Sequence, residues 1–210
     1  MFVGIRFRKR SDIATSYDHM HGVMRARVAL AFAALFMPTG VCAWGCALLP
    51  PFARSDDHAG DRAELTRFAH AMNVSNWYDG TRGWLQVNLS VCEWDGICCE
   101  RDQNGALRIT EVHVERNGLS GAFPDTFTAG LPRLQIINVH LNNVTNFPAR
   151  IELLVGLREA KFGRNPICGT VPAGFAALSA LEKLNCNFCC LSGPFPGAVL
   201  RDKPRLQETF

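Results

Sequence analysis

Cysteine and histidine are the residues of this 210-residue chain whose spacing could do chemistry. Cys186 and Cys189 form a Cys-x-x-Cys pair, which in other proteins is a redox couple or half of a zinc site. His113 and His140 could bind a metal ion only with a third ligand, and Glu115 is the obvious candidate. Which of these readings applies depends on the elements that carry the residues.

Motifs of the common catalytic sites do not occur in the sequence. It contains no Gly-Lys-Ser/Thr phosphate loop, no Gly-x-Ser-x-Gly elbow and no His-Glu-x-x-His zinc helix. We therefore expect a non-enzymatic protein, with no catalytic residues, no cofactor and no metal.

A repeated turn organises the second half of the chain. A proline preceded by a bulky apolar residue recurs every 24 residues, at Pro124, Pro148, Pro172 and Pro196. A fixed period of this length is typical of a solenoid, whose units bury their apolar faces only by stacking on their neighbours.

Each repeat contains a short alternating apolar segment followed by a polar residue. In the first repeat, the alternation at Val112 and Val114 predicts a strand with one buried face. The polar residue must satisfy backbone groups where the chain leaves the sheet, because unpaired buried amides are costly. It is Asn117, Asn142, Asn165 and, in the fourth repeat, Cys189. A structural role is thus favoured for Cys186 and Cys189 over zinc binding or redox chemistry.

These repeats resemble the plant-type leucine-rich repeat, with its Leu-Ser-Gly-x-Ile/Val/Phe-Pro signature at 119–124 and 191–196. The resemblance implies an α/β fold, a right-handed leucine-rich-repeat solenoid with a short parallel β-sheet on its concave face. Residues 105–210 would form four repeats and the start of a fifth, indicated by Leu206 and Phe210. Two single-residue length changes, in the first and second repeats, are expected to fall in loops.

Residues 56–104 resemble the N-terminal cap that precedes plant-type repeats, whose core reads Cys-x-Trp-x-Gly-Val-x-Cys. Cys92, Trp94, Gly96, Ile97 and Cys99 match this motif position for position. The resemblance implies a Cys92–Cys99 disulfide. It also fits the need of a solenoid to cover the apolar end of its first repeat.

A helix is predicted near the start of the cap, with Ser55 or Asp56 as its N-cap. Its apolar residues fall at helical spacing: Leu65, Phe68, Ala69 and Met72.

The N-terminal segment has the pattern of a secretory leader. Residues 1–27 carry a net charge of about +4, the apolar run 28–37 follows, and Val41-Cys-Ala43 provides small residues for cleavage. We predict a signal peptide over 1–43 and a linker over 44–55. The alternative is an uncleaved signal anchor, which would be the only contact with a membrane. Translation from Met20 or Met24 would shorten the leader.

Either reading places the repeats outside the cytosol, secreted or at the cell surface. The remainder of the chain has a net charge of about −1, so its electrostatics do not favour a nucleic-acid partner. Loss of Cys42 with the leader would leave eight of the nine cysteines, an even number that favours disulfides, with Cys168–Cys190 as a candidate pair. Three sequons predict glycosylation at Asn73, Asn88 and Asn143.

Residues between the buried strand positions are predicted to point outward in rows across the four repeats. The first row is His113, Asn138, Lys161 and Asn185. The second row is Glu115, His140, Gly163 and Asn187. The third row is Arg116, Leu141, Arg164 and Phe188. For the two histidines, a solvated strand face is favoured over a metal pair.

The mixed polar and apolar rows favour an exported recognition module that binds an extracellular protein or peptide through the concave face. A solvated face without a partner is the alternative. A glycosylated surface antigen or scaffold and a truncated gene copy also remain open, and the resemblance adds an inhibitor of wall-degrading enzymes.

Overall fold

The structure is a computed structural model that describes residues 53–78, 82–195, 197 and 207–209. The predicted leader, most of the predicted linker, Pro196, Leu206 and Phe210 lie outside the described residues.

A six-stranded sheet runs through the cap and the repeats in the order β1-β2-β4-β6-β8-β10. Its strands are β1 (Ile97–Arg101), β2 (Leu107–His113), β4 (Ile136–Asn138), β6 (Glu159–Lys161), β8 (Lys183–Asn185) and β10 (Gln207–Thr209). β1 pairs with β2 in antiparallel fashion, and every later pairing is parallel. One strand per repeat, paired with the strand of the next repeat, is the architecture that the period predicted.

The buried strand positions stay in register along the solenoid. Val112 pairs with Ile137, Ile137 with Ala160, and Ala160 with Leu184. The two length changes therefore fall in loops, as predicted. In the fifth rung, Glu208 stands at the register position of Leu184.

Two shorter parallel pairs and a set of short helices follow the strands of the six-stranded sheet in the described parts of the repeats. β3 (Ser120–Gly121) pairs with β5 (Asn143–Val144), and β7 (Cys168–Gly169) pairs with β9 (Cys190–Leu191). The return paths contain α2 (Phe127–Gly130) and the 3-10 helices Ile151–Leu153 and Ala173–Ala177. The predicted leucine-rich-repeat solenoid is thus confirmed.

The core is one continuous apolar cluster from the cap to the fourth repeat. Phe123 contacts Phe162 in a T-shaped arrangement at 6.1 Å between ring centroids, and Phe147 contacts Phe162 and Phe175 at 5.1 and 5.8 Å. In the cap, Phe68 packs against Phe123 at 5.5 Å. Stacked rings therefore connect the cap to the repeats.

The cap helix α1 spans Ala59–Ala71, and its N-cap is His58. The prediction of Ser55 or Asp56 as the N-cap was wrong. Asp57 forms a parallel bridge with Leu107, and the His58 amide donates to the Leu107 carbonyl at 3.1 Å. Arg54–Asp56 forms a short 3-10 helix, and the contacts with β2 then hold Asp57 and His58 extended, so α1 begins only after His58. None of the helices in the described ranges has the length and apolarity needed to cross a bilayer.

The Cys-x-Trp-x-Gly segment of the cap packs directly on β2. A disulfide joins Cys92 and Cys99 with a Cα–Cα distance of 5.7 Å. Gly96 has φ +81°, and a Cβ on it would lie 2.0 Å from the carbonyl oxygen of His113. Only glycine allows this close approach, in which the His113 amide donates to the Gly96 carbonyl at 2.7 Å. Trp94 is buried beside it.

Candidate functional site

The ladder residues, Asn142, Asn165 and Cys189, hold the concave sheet in place. The Asn165 amide donates to the carbonyls of Val139, Phe162 and Gly163 at 2.9, 2.7 and 3.2 Å. Asn142 makes the equivalent three bonds one repeat earlier. Asn142 and Asn165 therefore bind carbonyls of their own repeat and of the preceding one, as the buried-amide argument predicted. The prediction was wrong for Asn117, whose buried Oδ1 has no hydrogen-bond partner among the described residues.

Cys189 continues the ladder with a weaker donor. Its thiol donates to the Phe162 carbonyl at 3.5 Å. Cys186 is buried at the inward strand position, and burial raises its pKa to about 12. Burial also raises the pKa of Cys189. Both are free thiols in this structure, and the thiolate form that metal binding or thiol exchange needs is disfavoured.

The third row occupies a left-handed backbone turn in every repeat. Arg116, Leu141, Arg164 and Phe188 directly precede the ladder position and have φ between +50° and +57°. This turn directs the following side chain inward, and it leaves the third row facing solvent. Leu141 is 42% exposed and Phe188 is 72% exposed. The Arg164 guanidinium lies over the Phe188 ring, 4.4 Å from its centroid.

The first row lies in register on β2, β4, β6 and β8, as the sequence predicted. Its residues differ in availability. Asn138 is only 4% exposed, and its amide donates to Glu115 at 2.6 Å. His113 contacts the Glu111 carboxylate at 2.7 Å. Asn138 is therefore buried and stabilises the concave face through its bond to Glu115, whereas Lys161 and Asn185 are partly exposed.

The second row closes over Gly163. A Cβ at Gly163 would lie 2.1 Å from Asn187 Oδ1, 2.2 Å from Asn185 Oδ1 and 3.0 Å from His140 Nδ1. The missing side chain gives these three polar groups room to converge. Burial lowers the pKa of His140, and the nearby Arg164 and Lys161 lower it further against the opposing effect of Glu115. The imidazole is therefore neutral at physiological pH.

The concave sheet carries a fourth row that the sequence patterns did not predict. Register places Glu111, Ile136, Glu159 and Lys183 beside one another on the same face. Glu159 binds Lys161 at 2.9 Å and Lys183 at 2.7 Å. Burial alone would raise the pKa of Glu159, but the bonds from the two lysines outweigh it and lower the pKa. These residues directly precede the buried strand residues Val112, Ile137, Ala160 and Leu184, so the repeat period could have predicted this row.

The structure does not assemble the histidine pair considered from the sequence. Within the described ranges, the three potential metal ligands that lie within 4.8 Å of one another are Cys98, Glu111 and His113. Cys98 is disulfide-bonded and so offers no thiolate. His140 is not part of this group.

The exposed surface outside the concave face carries the remaining predicted sites. Cys168 and Cys190 face each other across β7 and β9 and form a disulfide with a Cα–Cα distance of 4.3 Å. The sequon residues Asn73, Asn88 and Asn143 are all exposed, which leaves them accessible to a glycosyltransferase.

Proteins similar in sequence come from plant receptors. The chain is 26% identical to the receptor protein-tyrosine kinase CEPR1 of Arabidopsis thaliana over 135 residues, 63% of this chain and 13% of the kinase. It is 28% identical to Receptor-like protein 6 of Arabidopsis thaliana over 128 residues, 60% of this chain and 12% of that protein. The chain thus spans about an eighth of the length of these relatives. No protein-family model matches it.

Similar solved structures share the fold. A plant ice-binding protein aligns with a TM-score of 0.62 at 23% identity, over 72% of this chain and 47% of that one. The PEPR1–AtPEP1 structure aligns with a TM-score of 0.61 at 21% identity, over 71% of this chain and 21% of that one. The ectodomain of the Arabidopsis thaliana receptor kinase GASSHO1/SCHENGEN3, in complex with CASPARIAN STRIP INTEGRITY FACTOR 2, aligns with a TM-score of 0.52 at 22% identity. The alignment covers 70% of this chain and 20% of that one. The predicted resemblance to plant-type leucine-rich-repeat proteins is confirmed.

Proposed function

We propose that this protein is a non-enzymatic, extracytosolic recognition module that binds a peptide or protein ligand through its concave face. The observation that carries the proposal is the third row. Leu141 and Phe188 are exposed apolar side chains on a backbone with positive φ. Such a backbone costs a non-glycine residue roughly 1–2 kcal/mol.

If stability alone mattered, glycine or asparagine would be favoured at these positions, because they tolerate positive φ and expose no apolar side chain to water. A side chain that costs folding energy and remains exposed is best explained by what it contacts in a complex. Apolar anchors of this kind supply much of the binding energy of protein interfaces.

The similar proteins support this proposal. Two of the similar structures are named together with a second molecule: PEPR1 with AtPEP1, and the ectodomain of a plant membrane receptor kinase with CASPARIAN STRIP INTEGRITY FACTOR 2. We extend this use of the fold to the present chain. Extracytosolic location is supported by the disulfides Cys92–Cys99 and Cys168–Cys190, because such bonds persist in oxidising compartments.

A random 12-residue phage-displayed peptide library tests the proposal. The full chain, expressed through a eukaryotic secretory route, is the bait. Selected clones are then titrated against the L141G/F188G variant. We expect most clones to lose binding to this variant, since it removes the anchors and keeps a backbone that glycine tolerates.

The matched control is V155G, which removes another exposed apolar side chain, 67% exposed, outside the four rows. Clones should bind V155G as they bind the wild type. If the selected clones bind L141G/F188G undiminished, the proposal is wrong and a scaffold without a concave-face ligand is the better account.

A further inference from the structure

We infer that the ligand of this face is an extended acidic segment, in which two carboxylates three residues apart pair with Arg116 and Arg164. This inference rests on the proposed function and adds the chemical class of the ligand.

The basic residues of the concave face fall into two groups. Lys161 and Lys183 share the Glu159 carboxylate. Arg116 and Arg164 are exposed, and neither has a carboxylate partner among the described residues. The third row contains no acidic residue, so it carries two positive charges that the part of the chain seen in the structure leaves uncompensated.

Arg164 is also held in a definite place. Its guanidinium lies 4.4 Å from the centroid of the Phe188 ring, a cation–π contact that restricts the side chain without using its N–H donors. Guanidinium groups bind carboxylates through two parallel hydrogen bonds, whereas an apolar ligand would leave the donors unpaired. The Arg164–Phe188 pair therefore offers one carboxylate site next to one apolar contact.

The spacing of the row sets the spacing of the ligand. Arg116 and Arg164 are two rungs apart, and neighbouring strands are about 4.8 Å apart, so the two positions are about 9–10 Å apart. A polyproline II segment rises about 3.1 Å per residue with three residues per turn, so its residues i and i+3 point the same way about 9.3 Å apart. Acidic residues at i and i+3 thus match the two arginines.

The rest of the face argues against a longer polyanion. Glu111, Glu115 and Glu159 lie on the same concave surface, where they would repel a continuous line of phosphates. His140 is neutral and adds no positive charge at physiological pH. A short acidic peptide segment fits two isolated arginines, and a nucleic acid does not.

The same phage library provides the test, with the charge-reversed variant R116E/R164E as a second bait. We expect clones whose binding depends on Leu141 and Phe188 to be enriched in pairs of Asp or Glu three residues apart. Synthetic versions with blocked termini should bind R116E/R164E at least about tenfold more weakly than the wild type, which corresponds to about 1.4 kcal/mol. Exchanging their two acidic residues for lysine should restore binding to R116E/R164E.

The control R82E/R133E makes the same change in net charge at two exposed arginines outside the four rows, and it should bind as the wild type does. Clones that depend on Leu141 and Phe188 but are not enriched in acidic pairs, or that bind R116E/R164E equally well, overturn this inference and leave the proposed function standing. If no clone depends on Leu141 and Phe188, both fail.

Discussion

At the scale of single residues, the third row separates the demands of folding from those of binding. Leu141 has φ +57° and is 42% exposed, so its side chain contributes little to the core and strains its backbone. Glycine removes that strain but gives the unfolded chain more freedom, at a cost of about 0.5–1 kcal/mol.

We predict that L141G leaves the free energy of unfolding unchanged or raises it by up to about 1 kcal/mol. V155G, at a position without positive φ, should lower it by about 0.5–1 kcal/mol. Urea denaturation of both variants measures the difference. Equal destabilisation by the two substitutions would show that the left-handed turn carries no strain.

The pH dependence of stability has one contribution that can be assigned to His140. Burial lowers its pKa below the ordinary value of 6.5 in the folded chain. Between that lowered value and 6.5, the unfolded chain binds the proton and the folded chain does not, so stability decreases as pH falls through this window.

We predict that H140Q loses less thermal stability than the wild type between pH 7.5 and pH 5, because the substituted side chain cannot take up the proton. Differential scanning calorimetry at a series of pH values measures the loss in Tm. H70Q, which removes an exposed histidine of α1, is the control. A wild-type pH slope retained in H140Q would contradict the assignment.

At the scale of elements, the ladder decides how firmly each strand is tied to the next. Asn165 is 2% exposed, donates to three carbonyls and accepts from the Val144 amide at 2.9 Å. Cys189 provides one weak donor at the equivalent position. The fourth repeat is therefore tied to the third less firmly than the third is to the second.

We predict opposite effects for two ladder substitutions. N165A should cost at least about 3 kcal/mol, because it leaves several buried backbone groups unpaired. C189N should gain about 1 kcal/mol, since an amide can bond carbonyls that the thiol does not reach. Chemical denaturation gives both values, and C189A serves as the control for loss of the thiol. A destabilised C189N would show that the fourth position is not equivalent to the others.

The Cys168–Cys190 disulfide reinforces this same region from the outer sheet. It joins β7 to β9 across a sequence separation of 22 residues, which corresponds to roughly 3 kcal/mol of loop-closure entropy. We predict that C168S/C190S lowers the free energy of unfolding by about this amount, whereas H70Q leaves it unchanged. Thermal and urea unfolding under non-reducing conditions measure the loss. If C168S/C190S is as stable as the wild type, the disulfide does not restrict the unfolded chain and the prediction is wrong.

The sequence predicted more of the elements than of the side-chain pairing. A fixed period determines register, so the sheet, its rows and the ladder could be derived without coordinates. The burial of Asn138 behind Glu115, the His113–Glu111 contact and the convergence on Gly163 could not. These depend on which side chains lean toward each other across neighbouring strands, and residue spacing does not determine that direction. The N-cap at His58 was missed because its cause is a contact with β2, far away in the sequence.

At the scale of the whole molecule, the aromatic side chains make the cap part of the solenoid core. Phe68 on α1 is fully buried and contacts Phe123 and Phe127 of the first repeat at 5.5 and 5.2 Å. Phe123 in turn contacts Phe162 in the third repeat. Nearest-neighbour coupling of this kind makes a short repeat array unfold as one unit.

We therefore predict that F68A and F175A each cost about 3–5 kcal/mol and lower one shared unfolding transition, because both remove a fully buried ring from the same continuous core. Hydrogen exchange of the backbone amides measures how far each loss spreads. In a cooperative molecule, F68A accelerates exchange in β8 as well as in β1, although β8 is four strands away from β1 in the sheet. F188A, which removes an exposed ring, should change neither strand. Faster exchange confined to the cap in F68A and to the last repeats in F175A would show instead that the cap and the repeats unfold separately, and the concave face would then not be a single rigid surface.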